Sequence, residues 1–298
     1  MNIALTGATG SIGKELKPFL ESLGHSTITI SSSIPSNGQS IFSYADIIKR
    51  NIPFNVDTFI HLASLNSNLL KEDIEKEVGL TRMILDAMQS LDCSKLIFFS
   101  TAKVYGDNSF SEHCFSESSV LNPSCPYSEA KKICEDLIQI KSLELNLDAT
   151  ILRLPPVLSQ ADTSNLGKLI ALTKSGALIP TFSRGNTNIR SFISIVNIKE
   201  VIRVLLESRQ ASYNKVYNLA DDKHISLNDL LRIYGGKRII VLPILVEKLI
   251  FKISFVQGIL LKLYGNFMIE NRRLKNDLGV KLYSSQQAVL LNKNYKFR

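Results

Sequence analysis

Tyr127 and Lys131 stand four residues apart in the run Tyr127-Ser-Glu-Ala-Lys131. On a helix, positions i and i+4 share a face, so the ammonium would lie close to the phenol. A free tyrosine gives up its proton near pH ~10, too high for ready exchange in neutral water. A neighbouring positive charge favours the phenolate, and a shift of ~3 units corresponds to roughly 4 kcal/mol. The pair is therefore a candidate acid/base device. A Tyr and a Lys at this spacing are also common surface residues, so their weight comes from what accompanies them.

The run Phe98-Phe99-Ser100-Thr101-Ala102-Lys103 reads as a buried strand ending in two hydroxyls. Ligands of open α/β sheets sit at the carboxyl ends of strands. A hydroxyl there, aimed at the same pocket as Tyr127, would hydrogen-bond a substrate oxygen during hydride transfer. The plainer alternative is that Ser100 and Thr101 cap the next turn. Near the amino terminus, Gly7-Ala8-Thr9-Gly10-Ser11-Ile12-Gly13 falls between a predicted strand and a predicted helix. Glycines there permit a tight turn and let a pyrophosphate approach the backbone where free N–H groups and the helix dipole favour anions. The strand before and the helix after are the context that separates a nucleotide cradle from an ordinary turn.

These groups need a scaffold that carries them to one sheet edge. The first half of the chain alternates short apolar runs with amphipathic stretches. Strands are expected at 2–6, 27–30, 58–62, 95–100 and 149–154. Helices are expected at 11–23, with Ile12, Leu16, Phe19, Leu20 and Leu23 on one face, near 76–90, and from Tyr127 to about Leu145. This alternation predicts an α/β protein with a Rossmann-type doubly wound parallel sheet. Beyond about residue 155, Gly, Pro, Ser and Asn cluster and the elements shorten. The expectation is a dinucleotide-binding domain over 1–155 and a smaller C-terminal substrate-binding lobe over 156–298, some of whose segments return to the sheet.

The chain has 298 residues, 45% of them apolar and 21% charged, which excludes disordered, collagenous and coiled-coil classes. Lys and Arg number 35 against 27 Asp and Glu, a net charge of +8 spread along the chain. That excess suits an anionic ligand, and no other feature points to nucleic acid. Cys93, Cys114, Cys125 and Cys134 form no C-x-x-C pair and have no His at metal-ligand spacing, so reduced thiols and no metal are expected. The amino-terminal run enters a strand at once, without the basic and apolar regions of a secretion signal, and a cytoplasmic location follows as an expectation. The apolar stretch from Ile239 to Ile269 is broken by Pro243, Glu247, Lys248, Lys252 and Lys262, which rejects a spanning helix. Residues 244–263 leave open an amphipathic helix in peripheral contact with a membrane, beside the alternative of packing within the fold.

The ordered motifs together resemble the extended short-chain dehydrogenase/reductases, in particular the nucleotide-sugar epimerase/dehydratase/reductase group, over nearly the whole chain. Asp57-Thr-Phe-Ile-His61-Leu62-Ala63 is similar to that group's D-x-V-I-H-L-A strand, and Arg190-Ser-Phe-Ile-Ser-Ile-Val-Asn197-Ile198 to its R-x-F-x-x-V-x-D-V segment. Val216-Tyr-Asn-Leu219 and Ser226-Leu-Asn-Asp-Leu resemble the segment that follows. The resemblance implies Tyr127 as acid/base, Lys131 lowering its pKa and holding the nicotinamide ribose, and Thr101 binding the reacting oxygen. It implies a pyrophosphate cradle of Gly7, Thr9, Gly10, Ser11, Ile12 and Gly13. Ser31 and Ser32 would lie by the adenosine ribose, and Asp57, His61, Leu62 and Ala63 would line the cofactor. Ser100, Lys103 and Pro156 would line the sugar site, and Arg190 would clamp the substrate diphosphate as a guanidinium fork. A homodimer through the helices near 76–90 and 127–145 is implied as well.

Departures from the group's pattern narrow the activity. Its 4,6-dehydratases carry Asp-Glu where Ala102-Lys103 stand, and its GDP-fucose-type synthases carry Cys where Lys103 stands. That leaves C4 epimerisation or C4 keto reduction. The tail from Leu242 to Gly279 resembles bacterial polysaccharide enzymes acting at C4 of UDP-linked amino sugars. Thr29-Ile30-Ser31-Ser32-Ser33 offers hydroxyls and no acid for a ribose diol, which leans the cofactor toward NADP over NAD. The expected protein is thus a 4-keto-sugar reductase of surface polysaccharide biosynthesis. An NAD-dependent UDP-sugar 4-epimerase is the alternative, and a non-catalytic nucleotide-binding relative is the alternative of another class. Glu77 stands where the group commonly has Asn, and Pro156 and Asn197 are further departures.

Overall fold

Alternating apolar strands and amphipathic helices build a seven-stranded main sheet. Its strands are β1 (Asn2–Thr6), β2 (Ser26–Ile30), β3 (Ile41–Phe42), β4 (Thr58–His61), β5 (Lys95–Thr101), β6 (Asp148–Leu154) and β7 (Lys215–Asn218). Their spatial order is β7-β6-β5-β4-β1-β2-β3. The computed structural model describes residues 1–31, 41–49, 52, 55–65, 68–108, 113–158, 165–182, 188–207, 215–236, 239–243 and 265–294. Ser32 and the segment 244–263 lie outside the described residues. β1 pairs in parallel with both β2 and β4, setting Ile3 beside Thr27 and Thr58. β2 pairs likewise with β3, and β4 with β5. Chain order reverses between β1 and β4, and the crevice at the carboxyl ends there is where such sheets take ligands.

Helices α1 (Gly13–Ser22), α2 (Tyr44–Ile48), α3 (Ile74–Ser90) and α4 (Pro126–Leu145) complete this unit. Side chains alternate across a strand, so Ala4, Phe59, Leu96 and Phe98 face one way, packing with Ile47, Val78, Ile84, Met88, Cys134 and Ile138 of α2, α3 and α4. Ile3, Leu5, Ile60 and Ile97 face the other way and are buried too, as are Leu16 and Leu20 of α1. Both faces of the sheet are therefore covered, as in a doubly wound fold. The short β3 and α2 were not expected. A capping box explains where α2 begins, because Ser43 Oγ accepts from the Asp46 N–H and the Asp46 carboxylate accepts from the Ser43 N–H.

The chain divides into two compact units. The first holds Met1–Gly106, Leu121–Arg153 and Leu206–Tyr217, and the second holds Asp107–Val120, Leu154–Leu205 and Asn218–Arg298. The second is built from two-stranded pairs, such as Ile193–Ser194 beside Val157–Leu158 and Ile189–Arg190 beside Ile225–Ser226. Leu158, Ile170, Phe192, Leu227, Leu230 and Leu231 form its core. Asp221 is buried there and accepts from the Ser194 N–H and from the side chains of Ser194, Asn197 and Ser285. All four cysteines are free thiols. Among the described residues, no helix is long and apolar enough to cross a membrane, and no cluster of His, Cys, Asp and Glu could hold a metal.

One buried network ties β1 to β4 at their carboxyl ends. Thr6 Oγ1 accepts the Leu62 N–H at 3.1 Å and the Ala63 N–H at 3.0 Å. Its lone pairs are then used, so its hydroxyl proton goes to His61 Nδ1 at 2.7 Å. That fixes the tautomer: Nε2 carries the proton and faces Thr81 Oγ1 at 3.4 Å. An imidazolium here would bring a second N–H to an oxygen with no free lone pair. Burial first, and the Lys131 charge second, push the His61 pKa down to about 3. The folded pKa is depressed, so as pH falls below about 6.5 the unfolded chain takes up the proton first and stability is lost. We expect wild type to lose up to about 1.4 kcal/mol more per pH unit than His61→Gln over that window. Urea midpoints between about pH 7 and about pH 4.5 measure this. Parallel curves for the two proteins would show that His61 is not held neutral.

Candidate active site

Thr101 is the last residue of β5, and a single 3-10 turn, Ala102–Tyr105, follows it. Its Oγ1 accepts the Lys103 N–H at 3.3 Å, which anchors the side chain at the strand end. Pro126 occupies the first position of α4, where its missing N–H costs nothing and its fixed φ suits the helix. This start puts Tyr127 in the first turn, where its oxygen meets the Thr101 hydroxyl in a hydrogen bond. One turn on, Lys131 is 2% exposed and lies over the Phe98 ring, 4.9 Å from its centroid. Thr101, Tyr127 and Lys131 thus come together at the carboxyl end of β5.

The electrostatics depart from the expectation for Tyr127. Burial is the largest influence on the phenol and raises its pKa; Lys131 lowers it, Glu77 raises it and the Thr101 hydrogen bond lowers it. The net direction is upward, toward the protonated phenol. Burial is the main cause, and an ion pair that sequence spacing did not disclose adds to it. Lys131 Nζ lies 3.0 Å from Glu77 Oε1 of α3, and Glu77 is also 2% exposed. Glu77 Oε2 accepts the Leu65 N–H at 2.8 Å, which fixes the carboxylate from the loop after β4. Burial alone would lower the Lys131 pKa, but Tyr127 and Glu77 outweigh it and the lysine stays charged.

The glycine turn is built by close approach. Gly7 has φ +69°, and a Cβ on it would come 2.8 Å from the Ala63 nitrogen. A Cβ on Gly13 would meet Gly7 O at 2.2 Å, so α1 can start this close to β1 only without one. Gly10 donates to Gly7 O at 3.0 Å and closes the turn, while Thr9 and Gly10 are exposed at the helix start with Ser11 and Ile12 beside them. Ser64, after Leu62 and Ala63, buries its Oγ without a partner at the carboxyl end of β4. A cradle that any Cβ would fill, next to an orphaned hydroxyl, fits a dinucleotide pyrophosphate and ribose. Gly7, Gly10, Gly13 and the N–H groups of 9–12 would hold the phosphates.

Other expected site residues fall in different places. Ser31 sits just past β2, its N–H donating to Phe42 O at 3.1 Å. Asp57 is a correction: its Oδ2 accepts the Asn2 N–H at 2.7 Å, at the amino-terminal edge of β1. Four residues separate it from His61, and at ~3.3 Å per residue that is roughly 13 Å from the cofactor end of the sheet. Ser100 is a second correction. Successive strand side chains point to opposite faces, and its hydroxyl donates to Glu135 while Thr101 meets Tyr127. Glu135 forms a buried pair with Arg153, Nη2 to Oε2 at 2.6 Å, and Arg153 also donates to the Tyr105 hydroxyl at 2.9 Å. Lys103 is exposed on its turn. Pro156 and Arg190 belong to the second unit. There Arg190 Nε donates to Gly265 O at 3.1 Å, and burial pushes its guanidinium down to about 10.

Thr6, Ser64, Thr81 and the Glu135–Arg153 pair escaped the sequence reading. Thr6 carried a usable signal, because it ends β1 immediately before the glycine turn. Glu135 carried another, since it lies four residues after Lys131 on the same face of α4. Thr81 and Ser64 carried none: Thr81 meets His61 and Cys134 only through the fold, and the burial of the Ser64 hydroxyl is set by packing rather than by a local pattern.

Comparison with known proteins agrees with this architecture. A model of the NAD dependent epimerase/dehydratase family matches residues 3–220. A dTDP-glucose 4,6-dehydratase of Haemophilus influenzae is 26% identical over 261 residues, 74% of this chain and 74% of that protein. A dTDP-D-glucose 4,6-dehydratase of Dictyostelium discoideum is 27% identical over 193 residues, 59% of this chain but 44% of the relative's own length. The crystal structure of UDP-N-acetylglucosamine 4-epimerase from Bacillus cereus superposes with a TM-score of 0.77 at 18% identity, over 97% of this chain and 96% of that one. At that identity the likeness speaks for the fold. Because the family match runs through all seven strands of the main sheet, the chain belongs to the NAD-dependent epimerase/dehydratase family.

Proposed function

We propose that the protein moves a hydride at C4 of a UDP-linked sugar, and that its net reaction is the reduction of a 4-keto sugar in surface polysaccharide biosynthesis. The observation that carries this reading is the meeting of Thr101 and Tyr127 at the end of β5, with Lys131 one turn behind. Gly7, Gly10 and Gly13 would hold a nicotinamide dinucleotide, which would supply the hydride for the C4 carbon. Tyr127 gives its proton to the C4 oxygen as the carbonyl becomes an alcohol, and the Thr101 hydroxyl holds that oxygen in line. The phenolate left behind regains a proton from solvent. Arg190, a half-buried guanidinium, suits a diphosphate through charge-assisted bonds.

Ala102 and Lys103 provide no acid pair for water elimination, which leaves epimerisation and reduction. Tyr127 held as a phenol, the form that donates, favours reduction. Ser31 adds a hydroxyl where an acid would repel a 2′-phosphate, which supports NADPH as the reductant. A second reading, an NAD-dependent 4-epimerase, is favoured by the Bacillus cereus structure named as a UDP-N-acetylglucosamine 4-epimerase. An epimerase oxidises and then reduces the same carbon, so it keeps its NAD through the cycle.

A homodimer through α3 and α4 belongs to this proposal. Ile140 and Leu143 of α4 and Met83 of α3 are exposed, Leu143 to 79%. Burying such side chains against a second copy is worth about 1.5–3 kcal/mol each.

Three outcomes are expected. Tyr127→Phe loses about 10²–10⁴-fold in turnover while binding the dinucleotide as before; unchanged turnover would mean that Tyr127 does not carry the proton, and no turnover in wild type would mean a nucleotide-binding relative without catalysis. Mass spectrometry of the denatured, purified protein releases no stoichiometric NAD, and the native protein binds NADPH more tightly than NADH. Stoichiometric NAD would replace the reductase by the epimerase. Light scattering gives a dimer mass for wild type and a monomer mass for Leu143→Glu, and a wild-type monomer would end the dimer proposal.

A further inference from the structure

The Glu77–Lys131 pair is more than a structural contact, because of what it does to the charge beside Tyr127. The groups that face Lys131 among the described residues are Glu77 from α3, Tyr127 and Cys134 from α4, the Phe98 ring from β5 and His61 from β4. Phe98 carries no charge, and His61 is held neutral by its bonds to Thr6 and Thr81. Glu77 therefore supplies the carboxylate that answers the ammonium, at 3.0 Å and with both groups nearly fully buried. Its second oxygen is fixed by the Leu65 N–H, so the carboxylate cannot swing away without losing that bond. In low dielectric the field of an unpaired ammonium would reach the phenol strongly, whereas the field of a close pair falls off quickly.

We infer that Glu77 is a positioning residue for this site: by pairing with Lys131 it offsets part of the lysine's pull on Tyr127 and so favours the tyrosine as a proton donor. An Asn at this place, as the resembling group commonly has, would be neutral and would leave the ammonium's pull intact. A phenol suits addition of a proton to a carbonyl oxygen, whereas taking a proton from an alcohol requires the phenolate. Glu77 is thus a residue that sets the direction in which the site works best. The inference rests on Tyr127 as the proton carrier, but the test below needs neither substrate nor cofactor.

The test is a titration in the ultraviolet phenolate band, wild type minus Tyr127→Phe, which isolates Tyr127. Wild type is expected to titrate above the ordinary ~10, and a midpoint below that overturns the inference. In Glu77→Gln the midpoint is expected to fall by at least about one pH unit, a tenfold change in proton affinity; an unmoved midpoint overturns it. Glu77→Gln leaves a buried ammonium unpaired and can fail to fold. The double variant Glu77→Gln with Lys131→Met replaces the pair by neutral groups of similar size, which folded proteins tolerate. Its midpoint is expected at or above that of wild type, and a fall of about a unit there overturns the inference. If Tyr127→Phe keeps full turnover, the proposed function fails instead, and the titration still decides what Glu77 does.

Discussion

An ammonium taken out of water must be met by charge or give up its proton, and here Lys131 is met by Glu77. That requirement organises the unit around it. The lysine comes from α4 and the carboxylate from α3, so the two helices must pack closely enough to close a 3.0 Å bond. The carboxylate is steadied by the Leu65 N–H, which ties α3 to the loop after β4. The lysine stem lies on Phe98 of β5. One ion pair therefore registers two helices, a strand and a cofactor-side loop against each other. It costs desolvation, and a buried pair is weak evidence for stability in itself, so its use is better sought in the state of its neighbour Tyr127.

Next to it runs a second buried network with a different logic. Thr6 accepts two backbone N–H groups and gives its own proton to His61, which passes one to Thr81, whose hydroxyl faces Cys134 Sγ at 3.3 Å. Every member is neutral and paired, so the carboxyl ends of β1 and β4 are held without any buried charge. The glycine turn depends on this, since Gly7 lies against the Ala63 backbone that Thr6 fixes. The Glu135–Arg153 pair does the same work between α4 and β6, and it claims Ser100. Three networks thus fix the carboxyl ends of β1, β4, β5 and β6, and Thr101 and Tyr127 are left facing each other.

Much of this was legible in the residues. The strand and helix runs of the first half fell where periodicity put them, because a two-residue and a 3.6-residue apolar period are strong signals in long elements. β3 and α2 were not read, since a two-residue strand carries no period and α2 is announced only by the Ser43/Asp46 cap. Asp57 was misplaced for a simple reason. A motif read as one string hides that a strand has two ends, and only the pairing of Asp57 with Asn2 shows which end it occupies. Ser100 was misplaced because adjacent residues of a strand face opposite ways.

The sequence by itself determined the α/β class, the glycine turn between β1 and α1, and the spacing that brings Lys131 one turn behind Tyr127. These are local properties: dihedral freedom, hydrophobic period and helical pitch act within a few residues. The tertiary structure alone decided that Lys131 meets Glu77, that His61 is neutral, and that Tyr127 holds its proton more tightly than a lysine neighbour alone would allow. Those outcomes depend on burial and on charges and hydrogen-bond partners brought from 50 or more positions away, such as Glu77 beside Lys131 and Thr6 beside His61. Electrostatics in a low-dielectric interior is set by distance in space, and no spacing along the chain encodes it.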